Sequence, residues 1–428
     1  MLLDRRNFVA GAVGVMSIEM GAARSRADPD RDDALRALLD DLASSSATPP
    51  IAARLDRLSA FDPSGLSDQS RVDYDVILSG LRREATARRA DGGESYRARL
   101  AVLLGADRDP DVLHAEALAQ AEELQSQADL LLRGEGLASG SVGERLRTLA
   151  RDPRLLYSDD DLGRDRAVSD MNHWLRRGRD RLPRAFLNVP TGLGALQVRR
   201  MSRADETSGR AGYRSLPTPD GSNPGGYWVD LRAIRNRPSW SLPSVVHHEL
   251  LPGHLLQFAY AAPAGFHPLR LKYAAGYVEG WAIYAEQLAD EEGAFTSDAL
   301  ARIGYIQWRL FRLARVIADT GLHVRGWDRG GAKAALVDLQ GDPTVIAPFD
   351  ADIERMLQRP AALAAEGAGA MELARLKRDA KRRLGEGFDL RFFHHAVLAQ
   401  GPLPVDRLDV EVAKLAPQAG RASEPRSD

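Results

Sequence analysis

The chain has 428 residues, of which 44% are hydrophobic and 28% charged, so it is long enough to bury a sizeable core. Its formal net charge of -2 argues against a role that depends on binding nucleic acid or an anionic membrane surface. Cysteine is absent, which excludes thiol nucleophiles, disulfides and cysteine-bound zinc, so any metal must be held by nitrogen and oxygen atoms.

The N-terminus resembles a twin-arginine export signal. The pair Arg5 and Arg6 precedes a weakly apolar stretch from Ala10 to Ala23, and small residues follow that stretch. We therefore interpret residues 1–27 as a signal peptide and expect an exported protein, periplasmic or extracellular. The alternative is an ordinary disordered N-terminal arm. No later stretch has the ~18 uninterrupted apolar residues that a membrane span needs.

Helical periodicity dominates the part of the chain from about 28 to 182. Leucines at positions 35, 38, 39 and 42 lie on one face of a helix predicted from Asp32 to Ala43. Two longer helices are predicted from about Ser67 to Arg89 and from Asp109 to Arg133, and glycines follow the second one.

The pattern changes between about 183 and 243, where prolines, glycines and short β-prone runs predict a small sheet. Its best strand candidates are Leu196–Val198 and Tyr227–Leu231. Helical patterns return from about 244 to 415. Together these features predict a mainly α protein with a small β-sheet, organised as a single domain over 28–428.

Three of the nine histidines lie within eight residues, at His247, His248 and His254, and Glu249 stands among them. In the H-E-x-x-H arrangement, two histidines four residues apart share a helix face and bind zinc, while the glutamate acts on the attacking water. Here His254 follows His248 by six positions, about 240° around an ideal helix. His247 and His254 share a face but stand about 10 Å apart along the axis. A regular helix therefore could not bring either pair to one ion.

Pro252 and Gly253 lie between the histidines and are suited to opening the helix. Proline lacks the N–H that would bond to the carbonyl of His248, and its ring clashes there. Glycine adopts dihedral angles that other residues avoid. The segment therefore predicts a metal site only if a local bulge carries His254 back toward His248.

Glu279 and Glu286 are the candidates for a third ligand. They interrupt an apolar helix and, at a spacing of seven residues, lie on one face of it. A buried acid needs a partner, and a metal ion is one such partner. The alternatives are a surface stripe or an ion pair with an arginine.

Four motifs follow one another in the second half of the chain. Residues 248–257 read HELLPGHLLQ, 279–286 read EGWAIYAE and 315–323 read RVIADTGLH, while FDLRFFH and GPLP begin at 388 and 401. These motifs resemble the signature of the DUF885 family, a group of bacterial proteins classed with the zincin metallopeptidases. The resemblance covers about 225–412 well and the earlier half loosely.

The resemblance implies a zincin-like, gluzincin-type helical architecture with one zinc ion. Its metal ligands map to His248, His254 and Glu279, and its general base maps to Glu249.

The same resemblance implies roles for residues around the ion. His323 would stabilise an oxyanion or donate a proton, and Arg315 or Tyr284 would lie near the substrate. An equal alternative for His323 is a core histidine bonded to the backbone. An equal alternative for Tyr284 is a packing role. The zincin analogy further implies a sheet edge that pairs with an extended peptide, for which Tyr227 to Leu231 is the candidate.

These observations predict an exported zinc peptidase or related amide hydrolase that acts on a peptide or small amide. A second hypothesis is a zincin-like protein that binds a peptide or partner without turnover, because a distorted motif can lose its metal. A third is serine hydrolysis at Ser139–Gly143, which lacks both the first glycine of a G-x-S-x-G elbow and a preceding strand. The sequence leaves the oligomeric state open.

Overall fold

A computed structural model describes residues 28–44, 50–90, 92–218, 223, 225–341 and 348–418. The predicted signal peptide, residues 1–27, lies outside the described residues. The described part is mainly helical with one three-stranded sheet, which confirms the predicted fold class at that level. None of the described helices combines the length and apolarity needed to cross a membrane.

The helices that precede the sheet in the described residues are α1 (Pro29–Ala43), α2 (Ile51–Ser59), α3 (Asp68–Ala87), α4 (Gly92–Leu104), α5 (Pro110–Gly134), α6 (Val142–Ala150) and α7 (Asp161–Ala185). The leucine face predicted for the first of them is buried at Leu35, Leu39 and Leu42. The side chains of Ser67 and Asp109 accept hydrogen bonds from the first backbone N–H groups of α3 and α5. The predicted starts of these two helices are therefore confirmed as caps.

The sheet contains β1 (Gln197–Arg200), β2 (Tyr213–Ser215) and β3 (Gly226–Val229), and the short helix α8 (Arg203–Thr207) lies between the first two. The spatial order is β1-β3-β2, with β1 parallel and β2 antiparallel to β3. The two predicted strands are confirmed as β1 and β3. The sequence did not indicate β2, because three residues with arginine in the middle show no apolar alternation.

One strand expectation is wrong: Tyr227 to Leu231 does not form a sheet edge open to a peptide. The strand β3 is central, and its residues pair with β1 on one side and β2 on the other. Its backbone groups are therefore already used in both directions. Within the described sheet the edge strand beside Glu249 is β2, whose Arg214 contacts that glutamate.

The helices that follow the sheet in the described residues are α9 (Leu242–Glu249), α10 (His254–Ala261), α11 (Arg270–Tyr273), α12 (Ala275–Glu291), α13 (Ala299–Val324), α14 (Arg329–Gln340), α15 (Phe349–Gln358), α16 (Ala362–Leu384), α17 (Leu390–Leu398) and α18 (Val405–Ala413). One continuous buried core includes side chains of most helices, between Leu35 of α1 and Val412 of α18, and a smaller core is formed by side chains of α13, α14, α15 and α16. The assignment of 28–428 to one zincin-like domain stays a prediction.

Helices α12 and α16 approach each other closely enough for their backbones to touch. A Cβ atom on Gly280 would lie 2.7 Å from the carbonyl carbon of Gly369, and one on Gly369 would lie 2.0 Å from the carbonyl oxygen of Gly276. Only glycine fits at such an approach. The contact holds Glu279 of α12 and Glu366 of α16 near the same guanidinium, that of Arg312 on α13.

Candidate metal centre

The histidine-rich segment forms two short helices instead of one long helix. Helix α9 ends at Glu249 and α10 begins at His254, and Leu250 takes the non-helical angles φ -116° and ψ -91°. The predicted opening of the helix between His248 and His254 is therefore confirmed. The indole N–H of Trp281 donates to the carbonyl oxygen of Pro252 at 3.0 Å, so α12 holds the connecting turn in place.

Gly253 makes this turn sterically possible. A Cβ atom at this position would lie 1.9 Å from the carbonyl oxygen of His248 and 2.4 Å from that of His247. Any side chain would therefore collide with the last turn of α9. Glycine at 253 lets α10 start against the end of α9, which returns His254 to the neighbourhood of His248.

The reshaped segment brings the three predicted ligands together. The Nε2 atom of His248 lies 3.2 Å from one carboxylate oxygen of Glu279, and the Nε2 atom of His254 lies 3.3 Å from the other. One ligand atom from each residue falls within 4.8 Å of the others. Donor atoms around a tetrahedral zinc ion with bonds of about 2.0–2.1 Å stand roughly 3.3 Å apart. The spacing of these side chains is therefore suitable for a single ion.

The far side of each histidine ring is held by an acceptor. The Nδ1–H of His248 donates to Glu286 at 2.8 Å, and the hydroxyl of Ser244 donates to the other oxygen of that carboxylate. The Nδ1–H of His254 donates to the amide oxygen of Gln257 at 3.4 Å. Such outer partners fix the tautomer and orientation of metal-binding histidines. They leave Nε2 of each ring as the atom available to a metal.

The residues present fit a zinc ion. The buried Nε2 of His254 has no hydrogen-bond partner among the described residues. Buried polar atoms are normally satisfied, so an unsatisfied one at the centre of a His-His-Glu cluster is consistent with a ligand position. The side chain of Glu279 is 26% exposed, so solvent reaches the cluster from one side.

Burial and neighbouring charges shift the pKa values of the three candidate ligands in different directions. Burial favours a neutral Glu279, but the positive charges of Arg312 and His248 and the hydrogen bond from His248 hold the pKa of its carboxyl well below the usual value. Burial also favours a neutral His248, yet Glu279 and Glu286 raise the pKa of its imidazole to about 9. For His254, burial and then the charge of Arg214 dominate, and its pKa falls to about 4.

Glu249, the predicted base, lies at the end of α9 with its carboxylate on an arginine. The Nη1 atom of Arg214 donates to its Oε2 atom at 2.5 Å. Arg214 on β2 lies directly opposite Tyr227 on β3, so both side chains lie on one face of the sheet. Burial, and next the charge of Glu249, raise the pKa of the Tyr227 hydroxyl. The structure thus places Tyr227 on the same sheet face as the arginine that holds Glu249.

Arg315 lies one step away from the ligand cluster. It donates two hydrogen bonds of 2.9 Å to Asp352 and also lies 3.7 Å from Glu366. Glu366 in turn stands 3.9 Å from Arg312, which contacts Glu279 at 3.1 Å. A chain of alternating charges therefore connects Asp352 on α15 to the cluster.

Other predicted site residues have different partners. The hydroxyl of Tyr284 donates to Nε2 of His394 at 2.8 Å, because Nδ1–H of that histidine donates to the carbonyl oxygen of Ala185. His323 donates from Nε2 to the carbonyl oxygen of Met356 at 3.1 Å. It lies about 16 Å beyond Arg312 along α13 at 1.5 Å per residue. The structure does not bring His323 or the Tyr284 hydroxyl to the ligand atoms.

Two further sequence features have structural roles. His247 donates from Nδ1 to the carbonyl oxygen of Leu251 at 2.9 Å and packs against Trp174 and Phe295. Ser141, the central serine of the possible hydrolase elbow, accepts from the backbone of Glu144 as the cap of α6. No strand precedes it among residues 92–140, so the elbow lacks its structural context.

Arg214, Arg312 and Glu366 are parts of the site that the sequence reasoning did not identify. Arg312 was detectable in principle, because it precedes Arg315 by three positions and so shares its helix face. Glu366 interrupts a run of alanine and glycine, which is also a signal. Arg214 carries no comparable local signal, because only the pairing of β2 with β3 brings it to Glu249.

Fold and site together define a mainly helical protein with a His-His-Glu cluster between two short helices and a neighbouring helix. Residues 78–412 match the family model described as a bacterial protein of unknown function, DUF885, and the chain belongs to that family. None of the curated proteins matches the chain.

Two solved structures share the fold. A candidate lipoprotein from Colwellia psychrerythraea is 26% identical with a TM-score of 0.67, over 90% of this chain and 69% of that one. A candidate lipoprotein of unknown function from Shewanella oneidensis is 20% identical with a TM-score of 0.63, over 90% of this chain and 73% of that one. The second likeness concerns the fold alone.

Proposed function

We propose that this protein is a zinc-dependent hydrolase of peptide or amide bonds, with a zincin-like site of gluzincin type. The observation that carries the proposal is the meeting of candidate ligand atoms of His248, His254 and Glu279 within 4.8 Å, with Glu249 as the residue that directly follows His248. The zincin relation is supported by the order of the residues, since a histidine-glutamate pair leads the motif and the third ligand comes from a later helix.

In the proposed reaction, the ion and the side chains of the protein have separate roles. A zinc ion held by His248, His254 and Glu279 would supply Lewis-acid chemistry, which makes water a stronger acid and polarises a carbonyl. Glu249 accepts one proton from the attacking water, whose oxygen bonds to the carbonyl carbon. The same carboxylate then gives that proton to the leaving nitrogen as the C–N bond breaks, so the products are a carboxylic acid and an amine.

Outer residues prepare the site for this chemistry. The carboxylate of Glu286 orients the ring of His248 through its hydrogen bond to Nδ1. Arg312 balances the negative charge of Glu279 at 3.1 Å. Tyr227 lies on the same sheet face as Arg214, the residue that holds Glu249, and we propose that its hydroxyl contacts a bound substrate.

We further propose that the protein is exported, periplasmic or extracellular. Two features support this: the twin-arginine-like sequence within residues 1–27, and the description of the Colwellia structure as a candidate lipoprotein. A fusion of residues 1–27 to a reporter, compared with a twin-lysine variant at positions 5 and 6, tests the location. Export that does not depend on the arginine pair would contradict the signal.

The direct test of catalysis compares wild type with Glu249→Gln, using Glu122→Gln on the surface of α5 as the control. Zinc content and cleavage of a mixed peptide library are measured for each. We expect Glu249→Gln to bind zinc normally and to lose cleavage by ~100-fold or more, because general-base catalysis typically contributes 10²–10⁴-fold. Wild-type protein that binds no zinc, and stays inactive after zinc is added, would contradict the proposal.

A second candidate is a protein that binds a peptide or partner without turnover. It is favoured by the ion pairs in which Arg214 holds Glu249 and Arg312 holds Glu279, because each pair engages a group that catalysis needs. Binding of library peptides to the zinc-loaded protein with no cleavage would favour this second function.

A further inference from the structure

Arg214 is the cation that most directly affects the proposed base. Arg214 lies on the edge strand β2, its side chain is 12% exposed, and its guanidinium donates to Glu249 at 2.5 Å. Arg214 therefore stands between the sheet edge and the proposed base, and that base directly follows the candidate ligand His248 in the chain.

The other arginines near the site, Arg312 and Arg315, pair with carboxylates other than that of Glu249. Arg312 lies between Glu279 and Glu366, and Arg315 makes a two-bond contact with Asp352. The only carboxylate that Arg214 contacts among the described residues is Glu249.

This pairing conflicts with the role of Glu249. The guanidinium occupies the Oε2 atom of Glu249, whereas a general base needs an oxygen within hydrogen-bond reach of the water proton that it takes. A second anion that took over the guanidinium would release Glu249 for the reaction.

We propose that Arg214 binds a carboxylate of the substrate, so that the site favours peptides with a free carboxylate on the residue that is released. This inference rests on the proposed hydrolase function. Arginine suits the task because its planar fork matches a carboxylate with two parallel hydrogen bonds. Substrate binding and activation of Glu249 are then one event, since the incoming carboxylate replaces Glu249 on Arg214.

The distances restrict where that carboxylate stands on the substrate. Arg214 and Glu249 are in direct contact, so water activated by Glu249 lies only a few ångströms from the guanidinium. Consecutive residues of a peptide are spaced by about 3.8 Å between Cα atoms. The carboxylate therefore belongs to a residue next to the cleaved bond, and we assign it to the residue immediately after that bond, because only there can the chain terminus lie so close. Either the chain terminus or an acidic side chain of that residue supplies it.

The test uses one peptide in three forms with the zinc-loaded protein: a free C-terminal acid, the C-terminal amide, and an amide with aspartate as its last residue. We expect wild type to cleave the free acid roughly ten- to a hundredfold better than the plain amide in kcat/KM, the range of a charge-assisted contact. Cleavage of the aspartate amide at the rate of the free acid identifies the side chain as an equal source of the carboxylate.

Variants assign the preference to the arginine. Arg214→Gln should reduce the acid-to-amide ratio to near one, mainly through KM for the acid, and Arg214→Lys should retain part of it. The matched control is Arg199→Gln, because Arg199 lies over Trp228 on the opposite face of the same sheet. That control should keep the wild-type ratio. Equal cleavage of acid and amide by wild type, or an unchanged ratio in a folded Arg214→Gln protein, overturns the inference.

A binding measurement separates this inference from the proposed function. N-acetyl-alanine and its amide are titrated into zinc-loaded wild type, Arg214→Gln and Arg214→Lys, with the signals of the ligands followed by NMR. Acid-selective binding that Arg214→Gln abolishes supports the carboxylate role even if no peptide is cleaved. Acid and amide binding equally to wild type overturns it. If Arg214→Gln fails to fold, the lysine variant decides through its reduced acid selectivity.

Discussion

Replacing Gly253 by alanine should disconnect His254 from the candidate metal centre. The new Cβ atom would lie 1.9 Å from the carbonyl oxygen of His248 and 2.4 Å from that of His247, whereas such contacts normally stay above 3.0 Å. The backbone at 253 must therefore move by about 1 Å, and His254 is the next residue. Metal-ligand distances tolerate shifts of only about 0.2 Å. We expect zinc affinity to fall by at least ~100-fold, with a loss of about 1–3 kcal/mol in the free energy of unfolding from overpacking.

Zinc affinity is measured by competition with a chelator, and stability by urea denaturation without metal. Gly134→Ala at the end of α5 is the matched control, because a Cβ atom there meets nothing within 4 Å. That variant should keep wild-type zinc affinity and be as stable or slightly more stable. A Gly253→Ala protein with wild-type zinc affinity and stability would refute the reasoning that the helix break needs glycine and that the break makes the site.

Three further outcomes are expected. Glu286→Gln should weaken zinc binding about 10–100-fold in a chelator titration, since the ring of His248 loses its charged partner, while Glu291→Gln on the same helix should not. Zinc affinity should rise about tenfold per pH unit from pH 6 to 8, because zinc must displace the proton that a pKa of about 9 keeps on His248; a flat profile would contradict this. His323→Gln should change kcat/KM by less than about threefold, because that ring bonds to the Met356 carbonyl and lies roughly 16 Å along α13 from Arg312; a loss near 100-fold would restore it to the reaction.

The sequence predicted those parts of the fold that depend on local pattern. Helices α1, α3 and α5 repeat apolar residues over several turns, and their ends carry capping side chains or glycine. The order of the strands in the sheet could not be predicted from the sequence, because the central position of β3 depends on its pairing with both β1 and β2 in the folded protein. A three-residue strand such as β2 is too short to show a period.

The candidate site divides in the same way. The approach of His254 to His248 could be predicted in two steps. A regular helix keeps the two side chains apart, and Pro252-Gly253 marks the place where the helix can open to bring them together. Arg214 and Glu366 come from distant elements, so no spacing near the motif indicates them. Residues of one motif do not all contact the same part of the site. Arg315 and His323 belong to one motif, but His323 lies two turns further along α13 and contacts the Met356 carbonyl instead.

The arginines around the cluster explain how the folded chain can bury the carboxylates of Glu279 and Glu249. A buried carboxylate without a partner costs several kcal/mol, so Glu279 and Glu249 need cations in the folded protein. Arg312 and Arg214 provide them from a helix and a strand that the fold already packs there. In the proposed zinc site, the ion would therefore compete with Arg312 for Glu279, and that guanidinium has Glu366 at 3.9 Å as an alternative partner. The proposed zinc affinity would then depend on the whole set of charges, including acids that do not contact the ion.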